Sequence, residues 1–189
     1  MRTEYKLANT LKELMAKKHP LNEISVNLLI KKCKVSRATF YYHFHDMYDL
    51  VNLVFLNETI PGIRRVKNLQ KVESCIFNYY ISNKNFIDMV FESSARDLFV
   101  EFLINNLNPI LYYVLENLDD DELLEGNEKN NIARFYSIAL ANSISFYLEN
   151  AKEKTLEGLE DYLGFISQEF LLKSIKTLAK RKNSKKNKK

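Results

Sequence analysis

One stretch of the sequence gathers most of the side chains whose types could do chemistry. Residues 31–50, KKCKVSRATFYYHFHDMYDL, bring together cysteine, histidine, aspartate, arginine, threonine and tyrosine around two phenylalanines. These side chains suit three kinds of site: a metal centre, a catalytic cluster, or a surface that recognises another molecule. Their spacing on the elements that carry them distinguishes the three.

A metal centre is the first interpretation, because Cys33, His43, His45 and Asp46 are ligand types. Cys33 falls on an apolar stripe, where a thiol behaves as a small hydrophobic group. No second cysteine follows at the two-to-four-residue spacing of zinc fingers. The two histidines are two positions apart, so on a helix they point in different directions. The pattern therefore predicts no metal ligands.

Catalysis is the second interpretation, with Ser36 as nucleophile and His43 as base. A nucleophile needs a base within hydrogen-bond reach and a third group to orient that base. About two helical turns separate these residues, and nothing nearby supplies an oxyanion hole. The sequence has no glycine-rich phosphate loop, HExxH or GxSxG motif. We predict no catalytic residues, no cofactor and no enzymatic activity.

A recognition surface is the third interpretation and the one that the spacing favours. On a helix that starts near Ser36, Phe40 and Phe44 face the preceding helix. The opposite side carries Arg37, Ala38, Tyr41 and Tyr42, with Thr39 and His43 on its flanks. Arginine pairs with guanine, small side chains contact the thymine methyl group, and hydroxyls and histidine bind phosphates. The pattern predicts a helix that enters the major groove of DNA; a surface helix with ordinary aromatic packing is the alternative.

Short helices must position these side chains. Ser25, Ser36 and Asp46 are good N-cap residues, and Asp49 stands at the third helical position after Asp46. The segment Lys34-Val35-Ser36 has the length of the turn in a helix-turn-helix. Helix N-termini also bind phosphate. We therefore expect Ser25, Ser36 and Lys34 to lie near the DNA backbone.

Helical periodicity continues through the rest of the chain, and the fold is predicted to be all-α. Four Gly and three Pro in 189 residues are too few for a turn-rich β architecture. The predicted helices after residue 62 are 69–81, 84–92, 95–117, 129–151 and 155–180, with a loop at NLDDDELLEGNEKN. The aromatic side chains of this region suit either a ligand cavity or a helical core, and they identify no ligand.

The segment 129–151 carries two apolar stripes, which indicates a helix buried on two sides. In a chain of this size we expect one side to face a second copy of the chain. Gly164 lies among apolar residues of the last predicted helix. Glycine destabilises a helix interior relative to alanine, and close approach of another helix would explain why it is tolerated there. The predicted dimer contacts are Tyr136, Ala139, Leu140, Ser143, Tyr147, Leu159, Leu163, Gly164, Ile166 and Phe170. A packed monomer core is the alternative.

Charge divides the chain into three parts. The net charge is +4 over residues 1–56, −7 over 57–179 and +7 over 180–189. A basic head, an acidic body and a basic tail indicate a polyanion-binding domain over 1–56, a separate domain over 57–180, and a disordered tail over 181–189. Two distant cysteines, no signal peptide and no long apolar run indicate a reduced, cytoplasmic protein without a membrane span.

The motif SRATFYYHF, followed by Asp49-Leu50 and preceded by Ser25-Val26, resembles the DNA-binding domain of TetR-type bacterial transcription regulators. The resemblance covers residues 3–56. It implies a homodimer with residues 36–43 in the major groove, and a larger helical domain that dimerises and binds a small-molecule inducer. The pattern F-x-D-x-Y-D-L at residues 44–50 also resembles the branch of the family that contains dihydroxyacetone kinase regulators.

Two positions depart from the family pattern. Lys34 stands where the turn usually has glycine, and Met47 stands where a lysine usually contacts phosphate. The resemblance implies a regulator, by default a repressor, on a pseudo-palindromic operator. The alternatives are an activator of the same family, or a helical interaction protein that keeps the head fold without specific DNA binding.

Overall fold

A computed structural model describes residues 2–66, 69–119, 123–164 and 168–186. These residues form ten α-helices and no strand, which confirms the predicted fold class. The helices are α1 Thr3–Ala16, α2 Val26–Cys33, α3 Arg37–His43, α4 Met47–Asn57, α5 Leu69–Ser82, α6 Lys84–Phe91, α7 Arg96–Leu118, α8 Gly126–Asn150, α9 Leu156–Leu163 and α10 Gln168–Lys186. Short 3₁₀ turns occur at Leu21–Glu23 and Ile63–Arg65.

Contacts between Cα atoms divide the chain into two compact units. The first unit comprises Met1–Ile60 and Asn78–Phe102, and the second comprises Pro61–Phe77 and Leu103–Lys189. The sequence analysis predicted a single boundary at residue 56. Local sequence patterns could not show that residues 78–102 pack with the first unit, because those contacts join parts of the chain that are distant in sequence. Each unit has its own core.

The first unit is built around α1. This helix packs on α2, α4 and α6, and α2 packs on α3. Leu7, Leu11 and Met15 of α1 are fully buried, as the helical spacing predicts. Phe55, at the end of α4, contacts the rings of Phe86, Phe99 and Phe102. Such aromatic packing fixes the end of α4 within this unit.

A polar contact joins three segments of the first unit. Lys12 Nζ lies 2.6 Å from Glu58 Oε1, and the hydroxyl of Tyr79 donates a hydrogen bond to Glu58 Oε2 at 3.1 Å. Burial, together with the neighbouring Glu58 carboxylate, raises the pKa of Tyr79, so its phenol keeps the proton that it donates. The two contacts tie Lys12 of α1 and Tyr79 of α5 to Glu58, the residue that follows α4.

The second unit has a core of aliphatic side chains from α5, α7, α8, α9 and α10. Its buried residues include Ile76, Leu107, Leu111, Ala141, Ile144, Leu148, Leu159, Leu171 and Ile175. By length and composition α7 is able to cross a membrane, but 56% of its most apolar window is buried inside the protein. Burial of this kind is typical of a core helix.

The last predicted helix, 155–180, is two helices. Thr155 caps α9 through a hydrogen bond from the N–H of Gly158, and α9 ends at Leu163 with Gly164 as C-cap. Gly164 therefore does not occupy a helix interior, so the helix-interior cost that suggested close helix approach at this residue does not arise. Helix α10 continues to Lys186, into the tail that the sequence predicts to be disordered.

Candidate nucleic-acid interface

Two capped helices and a left-handed turn form the candidate interface. The hydroxyl of Ser25 accepts a hydrogen bond from the N–H of Leu28 and thereby caps α2. The hydroxyl of Ser36 accepts from the N–H of Thr39 at 3.0 Å and caps α3. Both predicted caps are confirmed. Each cap satisfies one of the free N–H groups at a helix start, which fixes where the helix begins.

Lys34 closes α2 in a left-handed conformation, with φ 53° and ψ 46°. Its N–H bonds the carbonyls of Ile30 and Lys31, and the N–H of Val35 bonds Ile30 O at 3.0 Å. This pattern is a Schellman motif, which usually has glycine at the left-handed position. Lys34 thus adopts the left-handed conformation for which glycine is usual at this turn, and this exposed residue belongs to the connection between the two helices.

The inner side of α3 packs into the core of the first unit. Phe40 is fully buried, Phe44 is nearly so, and their ring centroids are 5.6 Å apart. Cys33 is also buried, with its Sγ 3.2 Å from Thr10 Oγ1. The described residues contain no cluster of three or more His, Cys, Asp or Glu side chains that could hold a metal ion. Cys33 therefore acts as a small core residue.

The outer side of α3 presents aromatic and cationic groups. Tyr42 is 85% exposed and Tyr41 is 48% exposed. Arg37 and Ala38 are also exposed. No acidic side chain pairs with Arg37 among the described residues; its Nη1 donates to Asn27 Oδ1 at 3.2 Å. These groups have the size and hydrogen-bonding capacity to contact base edges.

The flanks of α3 are held by neighbours. Thr39 Oγ1 lies 2.7 Å from Ser36 Oγ, so its hydroxyl is engaged in the cap. His43 Nε2 lies 4.0 Å from a carboxylate oxygen of Glu4, and its ring meets that of Tyr42 edge to face. The sequence analysis did not predict the contact of Glu4 with His43 or that of Asn27 with Arg37. Glu4 and Asn27 lie on other helices, so no local spacing could have identified them.

The start of α4 is fixed by two aspartates. Asp46 Oδ1 accepts from the N–H of Asp49 at 3.0 Å, which confirms the predicted cap. Asp49 Oδ2 in turn accepts from the backbone N–H of His45 at 2.9 Å and lies 2.8 Å from its Nδ1. The backbone hydrogen bond from His45, followed by the side-chain contact, lowers the pKa of Asp49. Met47, the first residue of α4, brings no charge to this helix start.

The predicted dimer contacts fall into two groups. Leu140, Tyr147, Leu159 and Leu163 are buried inside the second unit and have little surface to offer a partner. Tyr136, Ala139 and Ser143 are half-buried, Gly164 and Phe170 are exposed, and Ile166 lies outside the described residues. The apolar residues that are exposed on α8 were not in the prediction: Phe135, Ile138 and Phe146.

Tyr147 has an internal role instead. Its hydroxyl donates to the carbonyl of Thr155 at 3.1 Å, and a Cβ atom at Gly158 would clash with the same hydroxyl. Gly158 is thus the close-approach glycine of the second unit, where the sequence had pointed to Gly164. The signal is absent from the sequence because the partner, Tyr147, comes from another helix.

Comparison with solved structures shows a protein of similar fold. A chain described as dihydroxyacetone kinase operon activator DhaS matches with a TM-score of 0.58 and 21% identity, over 93% of this chain and 97% of that chain. At this identity the match shows a shared fold. No curated protein matches the sequence.

A family model gives the decisive comparison. Residues 67–168 match the C-terminal region of TetR-type transcriptional regulators. The match is independent of the N-terminal motif, because it begins after the helix-turn-helix. Since it spans more than half of the chain, the protein belongs to the TetR family and is a DNA-binding transcriptional regulator.

Proposed function

We propose that the protein binds a pseudo-palindromic operator as a homodimer, with α3 of each copy in the major groove. The observation that carries the proposal is the outer face of α3, where Arg37 and Tyr42 project from a helix that is capped by Ser36 and anchored by Phe40. Ala38 and Tyr41 complete the base-contacting face, and Thr39 and His43 flank it. Two copies would meet successive major grooves, about 34–36 Å apart.

The phosphate contacts in this proposal come from the ends of the helices. The starts of α2 and α3 lie at Ser25 and Ser36, where N–H groups and the helix dipole favour an anion. Lys34 lies between them with its side chain exposed. Phosphate contacts position the protein, and the side chains of α3 supply the discrimination between sequences.

Homodimerisation uses the exposed stripe of α8 in this proposal. Phe135 is 67% and Phe146 is 54% exposed, and with Ile138 they recur along one face of the helix. Phe170 of α10 adds another exposed ring. Exposed aromatic residues on one helix face are typical of an interface between copies. Tyr136, Ala139 and Ser143 border this stripe.

Repression is the proposed outcome, because a dimer bound beside a promoter blocks polymerase. Activation is the second candidate, and the likeness in fold to an operon activator favours it. In either case the protein acts on DNA in the cytoplasm, and a ligand or partner of the second unit shifts the equilibrium between binding-competent and incompetent states.

Selection of bound fragments from random duplex DNA, at about 0.15 M salt, tests the proposal. We expect the wild type to enrich one pseudo-palindrome and Arg37→Ala/Tyr42→Ala to enrich none. A control, Lys152→Ala/Tyr162→Ala, removes a cation and a tyrosine from exposed positions of the second unit and is expected to retain the selection. If the wild type selects no sequence and its DNA binding weakens as salt rises, the result would favour the alternative of a helical interaction protein without specific DNA binding. Placement of the operator relative to the promoter then distinguishes repression from activation.

A further inference from the structure

The second unit contains a cavity of about 560 Å³ that is distinct from the apolar stripe of α8. One wall is formed by the 3₁₀ turn that follows Gly62, and the other by the middle of α7. Cavities of a few hundred cubic ångströms are typical of small-molecule sites. The lining is cationic at the first wall and both polar and apolar at the second. It consists of Arg64, Arg65, Val66, Asn105, Asn106, Pro109, Ile110 and Tyr113.

Backbone geometry fixes the two arginines at the cavity. Gly62 has φ 78°, a conformation that glycine adopts without strain, and its carbonyl accepts from the N–H of Arg65 at 2.9 Å. Ile63 is buried and anchors the turn. The turn therefore places both Arg64 and Arg65 at the lining of the cavity.

The two guanidinium groups have no counterion among the described residues. Neither Arg64 nor Arg65 forms an ion pair or a side-chain hydrogen bond there, and no carboxylate belongs to the described lining. Two cations that line the same cavity repel each other, so an anion bound near both relieves that repulsion as well as forming its own contacts. Guanidinium groups bind carboxylate and phosphate oxygens in pairs, with charge-assisted hydrogen bonds.

The α7 wall adds hydrogen-bonding groups and an apolar surface. Asn105 and Asn106 contribute amide side chains, and Tyr113 contributes a ring that is partly exposed. Pro109 has no N–H, so the carbonyl of Asn105, four residues earlier, lacks its usual partner in the helix. Ile110 adds an apolar surface. This wall suits a ligand that has an apolar body as well as a charged head.

We propose that this cavity binds a small organic anion, with a carboxylate or phosphate group at Arg64 and Arg65 and an apolar body against Ile110 and Tyr113. For its biological consequence the inference rests on the proposed function, since it names the chemical class of the effector. Binding itself is independent of DNA. The two can therefore fail separately.

Thermal unfolding of the full chain without DNA provides the test. Three probes share one ring and differ in the head group: benzoate, phenyl phosphate and the neutral benzamide. At about 10 mM, an anionic probe with a Kd of about 1 mM is expected to raise Tm by about 3 to 6 °C. Benzamide is expected to leave Tm unchanged. The larger shift of the two anions identifies the preferred head group.

Variants locate the site. Arg64→Gln/Arg65→Gln is expected to abolish the shift, whereas Arg134→Gln/Lys152→Gln, which removes the same charge from exposed positions of the same unit, is expected to retain it. No shift with either anion, an equal shift with benzamide, or a shift that survives in Arg64→Gln/Arg65→Gln would each overturn the inference. Far-UV circular dichroism of each variant checks that it is folded. If Arg64→Gln/Arg65→Gln does not fold, Tyr113→Ala replaces it and must lower the shift at least threefold for the inference to stand.

Discussion

Arg37 lies over the ring of Tyr41, one turn further along α3. The guanidinium carbon is 5.4 Å from the ring centroid, and Nη2 is 3.3 Å from the Tyr41 hydroxyl. Together with the hydrogen bond from Nη1 to Asn27 Oδ1, these contacts hold Arg37 in one orientation at the surface of the helix. An arginine that is already ordered loses less entropy when it binds a base.

Substitutions of Arg37 and Tyr41 should show whether base discrimination depends on the positive charge of Arg37 or on the shape and orientation of its guanidinium group. Arg37→Ala is expected to lose about 1–3 kcal/mol of discrimination for the cognate base pair, and Arg37→Lys should not restore it, since lysine lacks the planar fork. Tyr41→Phe keeps the ring under the guanidinium and should have a smaller effect. Binding to the selected operator and to single-base variants, measured by fluorescence anisotropy, checks this. Equal discrimination by wild type and Arg37→Lys would contradict the assigned role.

The left-handed turn at Lys34 offers a second prediction with an internal control. Lys18, after α1, has the same conformation, with φ 63° against 53° for Lys34. Lys18→Gly and Lys34→Gly are each expected to stabilise the fold by about 0.5 to 1 kcal/mol, because glycine adopts this backbone without steric strain. Urea unfolding measures this change.

Only Lys34→Gly should also weaken DNA binding. Loss of one phosphate contact is expected to reduce the slope of log K against log salt by about 1. Operator binding at several salt concentrations, for both glycine variants, provides the comparison. An unchanged slope in Lys34→Gly would show that this lysine does not contact phosphate.

Gly158 in α9 and Gly164 at its C-cap should respond differently to substitution by alanine. Gly158→Ala places a methyl group against the Tyr147 hydroxyl and is expected to destabilise the protein by about 1–3 kcal/mol. Gly164, with φ −58°, has an ordinary helical backbone, and a Cβ atom there would lie 3.3 Å from the carbonyl oxygen of Asp161, so Gly164→Ala should change stability by less than Gly158→Ala. Urea midpoints of the two variants test the difference. Equal midpoints would mean that Tyr147 moves aside at little cost.

The half-buried carboxylate of Glu73 should make stability fall with rising pH. Burial, reinforced by the neighbouring Glu160, raises the pKa of Glu73 from 4.5 to about 7. The folded state then holds a proton that the unfolded state releases, so this contribution to stability is present below about pH 4.5 and is lost as pH approaches 7. Glu73→Gln removes the penalty and should stabilise the protein by about 1–2 kcal/mol above pH 7, after allowance for partial exposure.

Unfolding of Glu73→Gln by urea at pH 5 and pH 8 measures this effect. The gain should be present at pH 8 and small at pH 5. Glu116→Gln, an exposed carboxylate at the end of α7, is the control and should show no such difference. A pH-independent gain in Glu73→Gln would exclude the proton linkage.

The exposed stripe of α8 should determine the oligomeric state. Phe135→Asp/Phe146→Asp places two charges in the proposed interface and is expected to shift the dimer to monomer, because neither charge would find a partner there. Leu56→Asp, at a position that is also highly exposed but belongs to the first unit, should leave the dimer intact. Sedimentation equilibrium distinguishes the two results. A dimer that survives both substitutions would place the interface elsewhere.

Local patterns in the sequence were enough to define the helix-turn-helix. The caps at Ser25, Ser36 and Asp46 act within three residues of each helix start, and the burial of Phe40 follows from helical spacing, so both can be predicted from neighbouring positions. The same locality identified the exposed face of α3 and the departure at Lys34. The sequence by itself thus determined the fold class and the family, and it predicted α3 as the recognition helix.

Tertiary packing decided the features that join distant residues. The contacts of Arg37 with Asn27 and of Tyr147 near Gly158 connect different helices, and a periodic pattern cannot say which neighbour each side chain meets. Helical periodicity also predicted an unbroken helix over 155–180, because a glycine that ends a helix and one that lets helices pack closely are identical in sequence. Apolar stripes show which residues avoid water, but only packing decides which of them the chain itself buries; that is why Leu140 is in the core and Phe146 is exposed.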